Sequence, residues 1–256
     1  MSIPKIIHYC WFGSNEKSKL IKKCIRSWKK YCPDYEIKEW NENNFNININ
    51  DYVKEAYQEK KWAFVTDYAR LWIVYNYGGI YLDTDVELIK SLNSLLDNKS
   101  FFGSEDNQYI ATGLGFGAEK KNDLVKKMMD EYENIHFIKE DGSYDLLPCP
   151  QRNTLSVKEL LLANNFDTII KSEYGTIYPK EYFAPLDFHT REMKKTKNTY
   201  SIHWFDASWY DTEQTKAYKK RNKNLRKDYW LHMPNRILRN IMGEHRYMKL
   251  KKFFKK

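Results

Sequence analysis

No stretch of this chain approaches the roughly 18 consecutive apolar residues of a membrane-spanning helix. No secretory leader is expected, since Met1 to Gly13 is too short and too polar to be one. Cysteine is scarce and unpatterned. Cys10, Cys24, Cys32 and Cys149 form no CxxC pair and no regular framework, which excludes a disulfide scaffold and predicts free thiols in a reducing compartment. There is no internal repeat. Together these absences predict a soluble or peripheral protein in the cytoplasm.

What the chain does have is aromatic surface and an uneven charge. Its 256 residues, enough for one domain with embellishments and a sizeable core, include 20 Tyr, 13 Phe and 8 Trp. Rings with polar tips suit stacking on sugars or bases, although they also fill ordinary cores. From Lys216 to Lys256 there are 15 Lys and Arg against 2 acids, a net +13, while the other 215 residues hold 28 basic and 32 acidic, a net −4. A mildly acidic body over residues 1–215 is therefore expected to carry a basic extension over 216–256. Pro234 divides that extension into helical pieces whose apolar residues include Trp230, Ile237, Ile241 and Phe253. A basic amphipathic helix of this kind suits an anionic membrane surface. The alternative is a helix packed on the body with its charges solvated.

The body alternates between two periods. Ile3 to Phe12 reads as a buried strand, Ser18 to Tyr31 as an amphipathic helix, and Tyr35 to Trp40 as a second strand. Apolar positions from Val53 through Tyr75 then recur at helical spacing, predicting one helix from about Asn50 that Gly78-Gly79 ends. The following run changes to period 2. Ile80, Leu82, Val86 and Leu88 would share one strand face, and Tyr81, Asp83, Asp85 and Glu87 the other. Strand, helix, strand, helix, strand is the order of an α/β protein with parallel strands, whose ligands gather at the strands' carboxyl ends.

The acidic strand face needs a reason. Aspartate is disfavoured in strands, and Asp83 and Asp85 would stand about 6.6 Å apart at roughly 3.3 Å per residue. A divalent cation such as Mg²⁺ or Mn²⁺ would turn that repulsion into attraction; a solvated acidic face is the plain alternative. Further along, Ala111 to Ala118 is glycine-rich but lacks the GxGxxG spacing of a dinucleotide loop. Pro148 to Asn153 reads as a loop, Asn122 to Tyr132 and Ser156 to Ala163 as helices, and Thr199 to Trp204 as a late strand.

IPKIIHYCWFG, FVTDYARLWIVYNYGGIYLDTDVEL and the late IHWFDASW together resemble the DXD-containing glycosyltransferases of family 32. That group includes bacterial capsular-polysaccharide transferases and fungal mannosyltransferases, with the large clostridial glucosylating toxins as more distant relatives. The resemblance covers most of Ile3 to Trp209, and its specificity lies in the combination of a T-D-x-x-R helix with GG-x-Y-x-D-x-D. It implies a GT-A, Rossmann-like nucleotide-sugar-binding sheet with flanking helices, and a retaining transferase that uses Mn²⁺ or Mg²⁺. The implied donor is a UDP-hexose, such as UDP-glucose or UDP-galactose. Asp83 and Asp85 would be the catalytic metal pair, with His203 as the late ligand and Asp206 as the alternative. Asp67 and Arg70 would hold sugar hydroxyls, Tyr81 would lie against the nucleotide, Trp11 would stack on the base, and Ser208 with Trp209 would meet the diphosphate.

With the basic extension, the expected acceptor is a lipid-linked oligosaccharide at the inner membrane face, in bacterial surface polysaccharide synthesis. Rival chemistries fit less well. The two carboxylates of a glycosidase must flank the sugar, whereas two on one strand face approach from one side. A DxD phosphatase normally carries a hydroxyl residue where Glu87 stands. A nucleic-acid binder is disfavoured by the acidic body and the lack of any recognised motif.

Overall fold

The computed structural model describes residues 2–106, 108–161, 165–206 and single positions or short runs at 217, 220–221, 223–225, 242 and 246. Chain contacts divide it into two units, 1–186 with 194–209 and 187–193 with 210–256. The 215/216 boundary read from charge lies outside the described residues, as does most of the basic extension. In the second unit the carboxylate of Asp187 accepts from the backbone N–H groups of His189 and Thr190, closing a short turn.

The first unit is built around a seven-stranded sheet in the order β2-β1-β3-β6-β5-β8-β7. The strands are β1 (Ile6–Cys10), β2 (Glu36–Trp40), β3 (Gly79–Tyr81), β5 (Ser100–Gly103), β6 (Phe116–Ala118), β7 (Ile170–Lys171) and β8 (Thr176–Tyr178); β4 (Val86–Leu88) pairs elsewhere. β2, β1, β3, β5 and β8 run one way, β6 and β7 the other. The expected parallel sheet thus holds over its first three strands and becomes mixed beyond β3. Successive strand residues face opposite layers, as period 2 requires. Ile7, Ile80 and Phe101 pack on one side with Trp28 of helix α1 (Lys19–Tyr31), whereas Cys10, Tyr81 and Phe102 pack on the other. That second layer holds α2 (Asp51–Gln58), α3 (Trp62–Tyr77), α4 (Asp123–Asp130) and α5 (Cys149–Leu161).

Three expectations are corrected. The helix predicted from Asn50 to Tyr77 is two helices. Asn50 caps α2, accepting from Val53 N–H at 2.9 Å. Lys60 then takes a left-handed conformation (φ 56°), and Lys61 N–H reaches back to Ala56 C=O at 2.8 Å, a glycine-free form of the usual helix stop. Secondly, α5 begins at Cys149, inside the predicted loop. Pro150 falls in its first turn, where the missing N–H costs nothing, so its presence did not mark a loop.

The third correction decides the site. The run from Ile80 to Leu88 is not one strand. β3 ends at Tyr81, residues 84–85 form a turn in which Val86 N–H donates to Asp83 C=O at 3.0 Å, and the chain leaves the sheet. β4 pairs instead with β9 (Ser201–His203) in a separate two-stranded ribbon, with Val86 opposite His203. Asp83 and Asp85 therefore converge through a turn and do not share a strand face.

Candidate metal and nucleotide-sugar site

Gly78 and Gly79 set the register of the site. Gly78 ends α3 at φ 68°, ψ −171°, a region essentially restricted to glycine. A side chain on Gly79 would press on Ile6 C=O at 2.8 Å, so only glycine lets β3 start so close to β1. Beneath this turn lies His8, fully buried, with Nε2 on Gly78 C=O at 2.9 Å and Nδ1 accepting from the Trp40 indole at 3.1 Å. Burial lowers its pKa to about 4, so the ring is neutral and its tautomer is set by these two partners.

α3 ends beside β3 and delivers Asp67 and Arg70 to the same place. Spaced i,i+3, they pair at 3.0 Å, and Arg70 also reaches Asp83 at 3.4 Å. Arg70 is almost fully buried, with its guanidinium 5.2 Å from the centre of the Tyr81 ring. Burial disfavours its charge, but Asp83 and Asp67 outweigh that and hold its pKa well above the usual range. Burial pushes Asp67 up to about 6 against the pull of Arg70, and raises Asp83 likewise. Tyr81 is buried, and its hydroxyl donates to Asp83 Oδ1 at 3.1 Å. It lies beneath Asp83 and Arg70 with almost none of its surface exposed to a ligand.

Among the described residues, Asp83, Asp85 and His203 form the cluster whose ligand atoms all lie within 4.8 Å of one another. His203 Nε2 stands 3.1 Å from Asp85 Oδ1, while Asp206 N–H donates to Asp85 Oδ2 at 2.8 Å. Asp206 so enters the site through its backbone. Phe205 makes that possible by adopting φ 52°, an uncommon conformation for a bulky residue and a form of strain that tends to gather at functional sites. Burial pushes Asp85 up, yet His203 and the Asp206 N–H outweigh it and leave the carboxyl below its usual range. Burial would lower His203, but Asp85 raises it to about 9. Two carboxylates and an imidazole within reach of one point are a fitting donor set for Mn²⁺ or Mg²⁺. The buried Nδ1 of His203 has no hydrogen-bond partner, which leaves the ring free of a competing anchor on that side.

Trp11 sits one residue past β1, its indole donating to Asn15 C=O at 2.7 Å and the Lys17 ammonium 5.3 Å from its ring. It lines an open pocket of about 390 Å³ together with Ser14, Asn15, Lys17, Glu39 and Asn41. The metal cluster is not part of that pocket, but both lie at the carboxyl ends of the adjacent parallel strands β1 and β3. Ser208 and Trp209 lie outside the described residues.

Sequence reasoning missed several contributors. Gly113, in the stretch set aside as a poor dinucleotide loop, has no side chain because one would collide with Asp83 Oδ2. Its C=O accepts from Asp83 N–H at 3.2 Å. Cys149 and Thr112, both buried, meet at 3.2 Å, and Cys149 is among the groups that bear on the Asp67 carboxyl. Glu105, just past the end of β5, has its pKa raised by burial and opposed by the charge of His203. The only sequence signal among these was the glycine content of 111–118.

Residues 18–102 match the family model described as a glycosyltransferase sugar-binding region containing the DXD motif. The resemblance read from the sequence holds over that segment. A relative, inositol phosphoceramide mannosyltransferase 3 of Schizosaccharomyces pombe, is 35% identical over 102 residues, which is 37% of this chain and 28% of that protein. The match thus spans little more than a quarter of the relative's length. Among solved structures, the PaToxG glycosyltransferase superposes with a TM-score of 0.49 at 20% identity, over 62% of this chain and 70% of its own. A glycosyltransferase involved in the glycosylation of the major capsid of PBCV-1 gives 0.44 at 14% identity, over 85% of this chain and 100% of that one. Likeness at this level leaves the chemistry to the residues themselves.

Proposed function

We propose that this chain is a metal-dependent glycosyltransferase that moves a hexose from a nucleotide sugar, UDP-hexose by preference, to a glycan acceptor with retention of configuration. The observation that carries the reading is the convergence of Asp83, Asp85 and His203 within 4.8 Å, beside the buried Asp67–Arg70 pair. Asp83, Asp85 and His203 would hold a divalent cation, which would supply charge stabilisation to the leaving diphosphate as the glycosyl bond breaks.

The chain's own residues do the rest. Arg70 fixes Asp83 and Asp67 in one frame and brings positive charge to the sugar side. Asp67 accepts from hydroxyls of the transferred hexose. Tyr81 acts on the donor through Asp83 and Arg70. Trp11 offers a ring for the base at the mouth of its pocket, with polar groups around it for the base edge and ribose. No side-chain nucleophile is assigned; the acceptor hydroxyl attacks on the face the diphosphate leaves, its proton passing to the departing phosphate. Glu87, where a DxD phosphatase would carry a hydroxyl residue, is tied to Lys23 at 2.6 Å and to the Trp204 indole at 2.8 Å.

The test is a thermal-shift and hydrolysis panel of nucleotide sugars with and without Mn²⁺, on the wild type and Asp85→Ala. The expected result is metal-dependent binding and turnover of a UDP-hexose, with turnover falling about 10³-fold in the variant and the fold intact. Metal-independent nucleotide-sugar binding that survives Asp85→Ala would overturn the reading. The lipid-linked acceptor and inner-membrane location rest on the net +13 of residues 216–256, together with the absence, among the described residues, of a helix long and apolar enough to cross a membrane. Flotation with anionic vesicles should retain the intact chain and release one truncated at Lys216; equal retention would discard this part.

A further inference from the structure

The ribbon that carries His203 is short. β4 and β9 have three residues each, and a two-stranded pair is marginal on its own. His203 is also the last residue of β9, where the pairing ends. A histidine that ligates a metal is normally aimed by its second ring nitrogen, which donates to a carboxylate or a carbonyl. Nδ1 of His203 is buried without a partner, so that device is missing here. The aim of the imidazole then falls to its chain neighbours.

Those neighbours are tied on two sides. Towards the cluster, Trp204 N–H donates to Asp85 C=O at 3.1 Å and Asp206 N–H to the Asp85 carboxylate at 2.8 Å. The Phe205 ring lies against the imidazole, with centroids 4.2 Å apart. Away from the cluster, the Trp204 indole donates to Glu87 Oε2 at 2.8 Å, and the same oxygen takes the Lys23 ammonium of α1 at 2.6 Å. Lys23 also stands 5.0 Å from the centre of the Trp204 ring. Glu87 lies in β4, which is itself fixed to α1. Trp28 donates its indole N–H to Val86 C=O at 2.7 Å, and Leu88 N–H donates to Ser27 Oγ at 2.9 Å. An unbroken line of contacts thus runs from α1 through Glu87 and Trp204 to His203. Lys23 is half-exposed and contributes little to it. The indole bond ends on a largely buried carboxylate and contributes more. Packing alone would be served by a phenylalanine at 204, which has no N–H to place.

We infer that the Trp204–Glu87 hydrogen bond aims His203 at the cation, which makes Trp204 and Glu87 positioning residues for the metal site. The inference rests on the metal-dependent reading above. It gives the third acid of the run Asp83-Thr84-Asp85-Val86-Glu87 a task distinct from that of the two that face the cation.

Titration of the full chain with Mn²⁺, followed by the electron paramagnetic resonance signal of the free ion, reads this directly. Trp204→Phe, which keeps a ring and loses the N–H, should weaken Mn²⁺ binding about tenfold, the lower end for outer partners of metal ligands. Glu87→Ala should match it. Glu87→Gln keeps an acceptor for the indole and should recover most of the affinity. His203→Ala should weaken binding by itself and make Trp204→Phe silent, because both changes act on one ligand. No loss in Trp204→Phe or Glu87→Ala would overturn the inference. A loss in Glu87→Gln as large as in Glu87→Ala would also overturn it, by tracing the effect to charge and not to the bond. So would an added loss from Trp204→Phe in the His203→Ala background. If Glu87→Ala does not fold, Trp204→Phe and Glu87→Gln still decide. A wild type that takes up no Mn²⁺ would instead overturn the metal reading itself.

Discussion

The pocket beside Trp11 is walled by polar side chains that water reaches, whereas the cluster around Asp83 consists of buried charges that hold one another in place. At the first, the Lys17–Glu39 pair at 2.9 Å is partly solvated, and such pairs contribute little to stability. At the second, Arg70 is 6% exposed and serves two carboxylates at once, so removing one partner strands the others without solvent. The same sheet edge thus carries one surface that ligand chemistry can alter cheaply and another whose integrity is bound to the fold. Binding of the base and binding of the metal and sugar should therefore be separable by mutation, with very different costs.

The largest effect expected from that contrast is at Arg70. Arg70→Ala leaves Asp67 and Asp83 facing each other in a buried site, and should lower unfolding free energy by at least about 3 kcal/mol. Chemical denaturation measures it; a loss under about 1 kcal/mol would show the cluster to be as solvated as the Trp11 pocket.

His8 comes next, because it underlies both regions through Trp40 and Gly78. Its folded pKa of about 4 lies below the ordinary 6.5, so the unfolded chain binds the extra proton first. The His8 contribution is complete above pH 6.5 and lost as pH falls towards 4, by roughly 3 kcal/mol in all. Denaturation curves at several pH values for the wild type and His8→Gln should converge in slope above pH 6.5 and diverge below it. Parallel curves throughout would remove His8 as their cause.

The smallest effect belongs to the open pocket. Trp11→Ala should weaken UDP binding by about 1–2 kcal/mol, the scale of one stacked base, and leave the unfolding midpoint within about a degree of wild type. Unchanged UDP affinity in calorimetry would move the base elsewhere; a large fall in stability would place Trp11 with the buried region.

How much of the site could be read in advance differs element by element. The Asp67–Arg70 pairing follows from helical period, and the stop at Gly78-Gly79 from backbone sterics, since both involve neighbours within one turn of chain. The convergence of Asp83 and Asp85 was misplaced because a period-2 pattern looks the same whether the strand continues or turns out of the sheet. Only the pairing of β4 with β9, which brings Val86 opposite His203, distinguishes the two. The role of Gly113 was marked only by the glycine content of its stretch.

By itself, then, the sequence determined the chemistry available: two aspartates two residues apart, an acid and a guanidinium on one helix face, and a tryptophan ending the first strand. Those rest on covalent spacing and on the periods of helix and strand, which are local. The tertiary structure decided which groups meet, how deeply they are buried and therefore which charges are costly to leave alone. Those are properties of contacts spanning from 13 residues, between Arg70 and Asp83, to 121, between Asp85 and Asp206. No local period reaches that far.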